Sequence, residues 1–413
     1  MSKRVALIDA KLFNEMNPMQ NKIVILGAKR TPFGGFGGSF KDRTATDLSV
    51  DAGQAALQQA GVPATEVDHV VMGHVVQSSS DAIYLPRHIG LKLGVPMDRG
   101  ALGVNRLCGS GFQSWVTAAQ MMLTENLQVC LAGGAEQMSQ IPFVVRGARW
   151  GYRMGTGEFE DYLTASLTDQ YAKMPMAMTA EKLAEQYKIS REDCDQFAVE
   201  SQNRYKAAAA KEYFATEISA VTLKGRKGPT VVTNDEHPKA DTTVDSIKGL
   251  RPVFKEGGVV TAANASGIVD GAAMSVLTTE AYAKSKGART LATLRGWAVV
   301  GCDPTVMGIG PAYAIKKLLA AQSMQMKDID LFEVNEAFAA QYLAVEKEIG
   351  LPRERTNVNG GAIAVGHPLG ASGTRIMNHL CYELERRNGR FAIGSACIGG
   401  GQGIAVLIER EKK

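Results

Sequence analysis

The chain predicts an α/β fold made of two duplicated βαβ-rich halves with a large insertion between them, and three observations carry that prediction. Glycine is abundant (44 of 413 residues) while aromatics make up only 7%, a balance suited to many tight strand-to-helix turns. The stretch AALQQAGVPATEVDHVVMGHV at 55–75 shares its layout with IKKLLAAQSMQMKDIDLFEVNEA at 315–337: helix, short turn, acidic residue, buried strand. A Val-Asn pair then follows in each half, at Val104-Asn105 and Val358-Asn359. Each half continues through a glycine-rich turn, an amphipathic helix and an apolar strand, ending at Gly133-Gly134 and at Gly399-Gly400-Gly401.

Regular structure is predicted to begin at Ile23-Val24-Ile25-Leu26, a buried strand closed by Gly27, after a loose extension over 1–21. Gly34, Gly35, Gly37 and Gly38 follow without the G-x-G-x-x-G spacing of a dinucleotide loop. A helix over 47–60 leads through Pro63 to a strand over 67–71, and the first half extends over 22–138. Residues 139–268 differ in character. They hold Met174, Met176 and Met178, two helical stretches and a basic loop with Lys224, Arg226 and Lys227. The second of those helices starts with a capping pair, Ser190 and Asp193, and runs to about residue 214. This segment reads as an insertion that covers the substrate, since inserted loops often carry such contacts. The chain returns to the first half over 269–292, and 293–413 forms the second half.

Composition narrows the function. A hydrophobic share of 45% with 21% charged residues is ordinary for a soluble enzyme. The net charge of +4 is spread along the chain, with no basic arm for nucleic acid. No run reaches the roughly 18 apolar residues of a membrane span. The six cysteines have neither C-x-x-C spacing nor a nearby His, so they suggest a reducing compartment, without a zinc site or a disulfide scaffold. Asp9 and Glu15 make residues 1–20 unlike a signal or an acid-poor transit peptide, and a cytoplasmic protein is expected.

Four segments carry chemistry. In Asn105-Arg106-Leu107-Cys108-Gly109-Ser110-Gly111-Phe112, the spacing of Phe112, Trp115, Val116, Ala119, Met122 and Leu123 predicts a helix just after Cys108. The cysteine then sits at a helix start, where free amides and the macrodipole favour a thiolate nucleophile. In the second half, five glycines surround His367 between Asn359 and Gly373, ahead of a helix bearing Ile376, Met377, Leu380 and Cys381. This places an imidazole base at a loop tip, at the counterpart of the Cys108 turn. Cys397, after a strand over 391–393 and before Gly399-Gly400-Gly401, suits a proton shuttle beside amides that hold an oxyanion. Asn335 ends the strand over 331–334 and can face the same crevice. Two cysteines, a histidine and an asparagine at strand ends are the set that carbon–carbon acyl transfer requires.

These motifs, in this order, resemble the thiolase family over nearly the whole chain, from about residue 22 to 409. The segments QSSSDAIYL (77–85), NRLCGSGFQS (105–114), PMAMTAE (175–181), GCDPTVMGIGP (301–311) and SACIGGGQGIAV (395–406) look closest to its mitochondrial-type 3-ketoacyl-CoA branch. The resemblance implies two halves stacked as five layers, α-β-α-β-α, with an inserted loop domain. It implies reversible, CoA-dependent cleavage of 3-ketoacyl-CoA to acetyl-CoA and a shortened acyl-CoA by a ping-pong route, as in fatty acid β-oxidation. Cys108 would carry the acyl group, His367 would take its proton, and Cys397 would exchange a proton with the acetyl-CoA carbanion. Asn335 would hold a water in one oxyanion hole, and the Cys108 and Gly399 amides would form the other. Ser266 would meet the pantetheine arm, Ser246 and Lys239 the CoA nucleotide, and Met176 and Phe338 complete the binding set. Many relatives have Arg where Lys239 stands. Pro175, where acetoacetyl-CoA-specific relatives have His, implies longer acyl chains. CoA and acyl-CoA enter as substrates, no metal or dissociable cofactor is implied, and a homodimer or homotetramer is expected. Three other readings remain open: an acetyl-CoA acetyltransferase condensing two acetyl-CoA, a decarboxylating ketoacyl synthase, and a non-catalytic acyl-CoA-binding subunit.

Overall fold

The computed structural model describes residues 22–226 and 228–411, so the extension expected over 1–21 lies outside the described residues. The first half runs β1 (Ile23–Arg30), α1 (Ala45–Ala60), β2 (His69–Gly73), α2 (Leu85–Leu93), β3 (Gly100–Val104), α3 (Ser110–Thr124) and β4 (Val129–Glu136). The insertion supplies α4 (Met176–Tyr187) and α5 (Arg191–Ala210), and the chain returns through β5 (Val269–Thr279). The second half runs β6 (Ala292–Gly301), α6 (Gly310–Ala321), β7 (Leu331–Val334), α7 (Ala339–Ile349), α8 (Leu369–Arg386), β8 (Phe391–Ile398) and β9 (Gln402–Glu409). Ser190 and Asp193 form the reciprocal capping box of α5. That helix stops at Ala210, because Glu212 turns left-handed (φ 56°) and breaks the helical path before a separate short turn over Tyr213–Thr216.

The strands form one continuous ladder, β7-β8-β9-β6-β1-β5-β4-β2-β3, but its centre is thin. β1 and β6 share only the pairs Val24↔Thr293 and Ile25↔Ala292. On either side of that seam the pairing is the same. β1–β5 and β5–β4 are antiparallel, β4–β2 and β2–β3 parallel. β6–β9 and β9–β8 are antiparallel, β8–β7 parallel, and a parallel bridge from Phe332 to Thr356 stands in for the fifth strand. Identical order and identical sense in both halves establish the duplication in three dimensions.

The layers follow from where apolar surface is buried. α1 and α2 cover the outer face of the first sheet, α6 and α7 that of the second, and α3 with α8 fill the space between them. Three large buried clusters correspond to those gaps: Leu48 and Met72 lie in one outer gap, Trp115, Ile376 and Ile404 in the middle, Ile315 and Tyr342 in the other. The result is the α-β-α-β-α sandwich, with strands apolar on both faces as sheets covered on both sides require. α3 and α8 cross at Gly111 and Gly373, where a Cβ on Gly111 would come within 2.5 Å of the Thr374 nitrogen. Only glycine permits that approach. It brings the starts of both central helices together. Among the described residues no helix is long and apolar enough to cross a membrane.

One buried polar cluster ties the insertion to this frame. Arg30 on β1 donates to Glu217 (2.8 Å) and to both oxygens of Asp235 (2.6 and 2.9 Å), and His379 on α8 meets Glu217 at 2.7 Å. Burial opposes the Glu217 charge, but His379 and Arg30 outweigh it and hold the carboxyl down at about 2; the same partner raises His379 against its own desolvation. Glu217 therefore contributes stability that is complete above its ordinary value of 4.5 and lost as pH falls toward 2. His379 contributes stability that is complete below its ordinary 6.5 and lost as pH rises through its raised value. Glu217→Gln leaves two buried cations short of a partner and should cost about 3–5 kcal/mol. Thermal melts of the variant beside the wild type measure it, and coincident melting curves would remove this role.

Candidate active site

All four chemistry-bearing segments come to the ends of strands on one side of the central helices. Cys108 lies in a short 3-10 turn, Leu107–Gly109, immediately before α3, and Leu107 takes a positive φ of 47° to make it. The Ser110 hydroxyl closes the turn, donating to the Leu107 carbonyl (2.7 Å) and accepting from the Arg106 amide (2.9 Å). The amides of Gly399 and of Cys108 itself reach the cysteine sulfur. The helix start does not produce a resting thiolate, however. Desolvation dominates those two amides, and the nearby Glu136 charge adds to it, so the thiol is pushed up to about 11.

His367 is buried, not exposed at a loop tip. Its backbone amide donates to the Gly267 carbonyl (2.9 Å), and its ring is held on both sides. The Ser372 hydroxyl donates to the Pro368 carbonyl (3.1 Å) and lies 2.5 Å from Nδ1, so Nδ1 carries the hydrogen and Ser372 accepts it. Nε2 is left as a bare acceptor facing the Asn335 side-chain amide at 3.4 Å. Burial, reinforced by the positive charge of Arg375, holds the imidazole down at about 3. At neutral pH the Cys108 thiol therefore keeps its proton beside a neutral imidazole.

Cys397 is fully buried in β8, which runs on to Ile398 instead of stopping near 393. Its thiol is raised well above the ordinary value, by burial first and then by Cys108. It packs with Met307 and Ala337, against Met176 and Phe338. A Cβ on Gly399 would sit 3.3 Å from the Met176 sulfur and 3.2 Å from a Leu107 methyl, so the Cys108 turn, the Gly399 turn and the start of α4 converge. Asn335 is buried at the end of β7, its amide nitrogen toward His367 and its Oδ1 without a partner among the described residues.

Ser266 lies at the mouth of this cluster, with its amide on the Ala337 carbonyl (3.0 Å). Ser246 and Lys239 are not brought to the sulfurs. Both are exposed on the insertion, and the Ser246 hydroxyl is engaged in a helix-capping exchange with Thr243. Two buried carboxylates escaped sequence reasoning. Glu336 accepts from Ser201 (2.6 Å), Asn357 (2.8 Å) and the Ile363 amide (3.1 Å), fastening the insertion and the His367 loop to the Asn335 segment. Its only sequence signal was its place next to Asn335. Glu136 accepts from the backbone amides of Gly370, Val75 and Val76. Among the described residues no group of three His, Cys, Asp or Glu is arranged to hold a metal.

Comparison with known proteins places this geometry. Residues 23–281 match the family description "Thiolase, N-terminal domain", and 288–410 match "Thiolase, C-terminal domain". The chain is 53% identical to the human mitochondrial 3-ketoacyl-CoA thiolase over 388 residues, covering 94% of this chain and 98% of that one. It is 43% identical to an acetyl-CoA acetyltransferase of Cupriavidus necator, covering 94% and 99%. The crystal structure of the human mitochondrial 3-ketoacyl-CoA thiolase in complex with CoA superposes with a TM-score of 0.92 at 52% identity, over 95% of this chain and 98% of that one. The cytoplasmic expectation is overturned by these comparisons. The human relative and its orangutan, rat, cattle and mouse counterparts, at 52–53% identity, are all mitochondrial proteins. Acidic residues at 9 and 15 are too weak a criterion to assign a compartment.

Proposed function

The chain belongs to the thiolase family, and from that premise we propose that it cleaves 3-ketoacyl-CoA with free CoA to give acetyl-CoA and an acyl-CoA two carbons shorter. The observation that carries the reading is the convergence of Cys108, Cys397, the bare Nε2 of His367 and the Asn335 amide around the Gly399 turn. Cys108 attacks the 3-keto carbon while His367 Nε2 takes its proton. Negative charge passes from sulfur to the substrate oxygen, so the high resting thiol value is no obstacle: the amides of a preorganised site stabilise charge where it arrives. The bond between C2 and C3 then breaks, and Cys397 gives its proton to the acetyl-CoA carbanion. In the second half-reaction CoA attacks the acyl-cysteine, Cys397 recovers a proton from the incoming thiol, and His367 returns its proton to the departing Cys108 thiolate. Gly399 and Cys108 amides serve one oxyanion, and His367 with a water held by Asn335 serves the other. Ser266 supports the pantetheine arm, with Ser246 and Lys239 at the outer, nucleotide end. CoA is a substrate, and the residues assigned here supply the acid–base chemistry without a cofactor.

Substrate length follows from the wall of the site. Pro175, the N-cap of α4, presents no polar group beside Met176, and Met307 and Phe338 continue the apolar lining. Such a wall favours an alkyl chain over acetoacetyl-CoA alone. Thiolysis of a medium-chain 3-ketoacyl-CoA should equal or exceed that of acetoacetyl-CoA in kcat/KM, followed by loss of the enolate absorbance. Turnover of acetoacetyl-CoA only would assign the chain to the acetyltransferase reading, and no turnover of either would return it to acyl-CoA binding. A dimer is also supported: among the described residues β3 pairs only with β2, its Leu102 stands exposed, and Ile83 and Tyr84 are exposed in the turn before α2. An uncovered strand edge of this kind favours pairing with a second chain.

A further inference from the structure

The duplication gives each member of the reacting set a counterpart in the other half. Cys108 and His367 each stand two residues before the first residue of a central helix, Ser110 and Leu369. Register sets the rest. His69 pairs with Cys130 at the start of β2 and β4, as Leu331 pairs with Ala392 at the start of β7 and β8. Counting on from those pairs, Gly73 occupies the place of Asn335, Ala135 that of Cys397, and Glu136 that of Ile398. The second half carries reacting groups where the first has a glycine and an alanine. Beside that alanine the first half holds a buried carboxylate, Glu136, that nothing in the reaction above uses.

Glu136 is fully buried, and its partners all donate. Oε2 accepts from the Gly370 amide (2.8 Å) and the Val75 amide (3.2 Å); Oε1 accepts from the Val76 amide (3.0 Å) and lies 3.4 Å from His74 Nδ1. That ring nitrogen is a donor, because it also sits 2.9 Å from the Ala135 carbonyl. Burial pushes the carboxyl up, while His74 and the three amides pull it back, and Gly370 lies in the first turn of α8, where the helix dipole favours an anion. Two of these bonds lead to the reacting residues. Gly370 is three residues past His367. On the other side, the Val75 carbonyl accepts from Asn105 Nδ2 (3.0 Å), and Asn105 Oδ1 accepts from the amide of Leu107, next to Cys108 (3.0 Å). A single carboxylate oxygen thus joins the His367 turn of one half to the Cys108 turn of the other.

We infer that Glu136 is the positioning residue that sets Cys108 against His367 across the two halves, an inference that rests on the acyl-transfer reading above. It touches no reacting atom and acts through the two turns. Displacement of the order of an ångström between nucleophile and base lowers turnover about a hundredfold. Glu136→Gln keeps the shape but turns one donor-accepting oxygen into an NH₂ group that opposes the backbone amides. Its kcat should fall about ten- to a hundredfold with KM for CoA little changed. Because a negative charge beside Cys108 is lost, iodoacetamide alkylation of Cys108 should move to lower pH even as turnover drops. Damage to folding alone does not produce those opposite signs. Asn105→Ala cuts the same chain at an exposed position, so it carries the test if the Gln variant does not fold. It should lower kcat about tenfold with an unmoved alkylation profile and an unchanged melting temperature. If the wild type turns over and a folded variant of either kind matches its kcat, the inference fails while the reaction stands. A wild type without turnover on any 3-ketoacyl-CoA overturns the reaction itself, and the inference with it.

Discussion

Cys108→Ala should leave no acyl-enzyme and lower thiolysis by about 10⁴- to 10⁶-fold, the scale on which loss of a nucleophile from a coupled set is felt. The size of the effect follows from the lack of a substitute at that place. Cys397 is near enough to influence Cys108 electrostatically, but it is fully buried in β8, and its own thiol is raised well above the ordinary value. Cys302 lies at the next turn, partly accessible and likewise raised by burial, to about 11. Neither receives the Gly399 amide that reaches the Cys108 sulfur. Truncation at position 108 should be well tolerated by the fold, since the side chain ends a turn already closed by Ser110. The measurement is mass spectrometry of the peptide around residue 108 after incubation with acetyl-CoA, run beside steady-state thiolysis. A folded alanine variant that still acquires a stable acetyl adduct on another side chain and turns over would assign the nucleophile elsewhere.

Much of this arrangement was legible in the chain because its cues are local. The helix after Cys108 shows in apolar spacing, the turn before it in glycines, and the duplication in repeated helix–turn–strand order. The limits are equally physical. β8 seemed to end at Ile393 because Gly394, Ser395 and Ala396 are small or polar, yet they continue the ladder against β9 with regular pairing through to Ile398↔Gln402. The poise of Cys108 was misjudged because a helix start is a local signal, whereas the desolvation that outweighs it comes from packing between the two halves. His367 looked like a loop-tip residue for a similar reason: five flexible glycines mark a turn, and nothing in them says that the Asn335 segment and the Gly267 loop close over it. Glu336 and Glu136 were invisible as site residues because partners of each lie far away in sequence, Ser201 being 135 residues from Glu336 and Gly370 234 from Glu136. Contacts of that range are set by topology, and topology became readable only through the pairing order of the two sheets.

Cys397→Ala should separate the two chemical tasks that Cys108 and Cys397 divide between them. Carbon–carbon cleavage of 3-ketoacyl-CoA should fall by about 10²–10⁴-fold, the contribution of a positioned acid or base. Acetylation of Cys108 by acetyl-CoA should persist, because that step breaks a carbon–sulfur bond and produces a thiolate that needs no proton from a carbon acid partner. The structure supports this division. Cys108 draws on the Gly399 amide and on the free Nε2 of His367, and both remain when the Cys397 sulfur is removed. Around Cys397 itself the packing is apolar, from Met307, Ala337, Met176 and Phe338, and none of these side chains donates a proton. Hydrogen exchange into the methyl group of acetyl-CoA in deuterated buffer reads the second task directly and should vanish in the variant while the acetyl-cysteine still forms. If exchange and cleavage survive together, another group protonates the carbanion, and His367 Nε2, as the free base in the site, is the residue to which the role would pass.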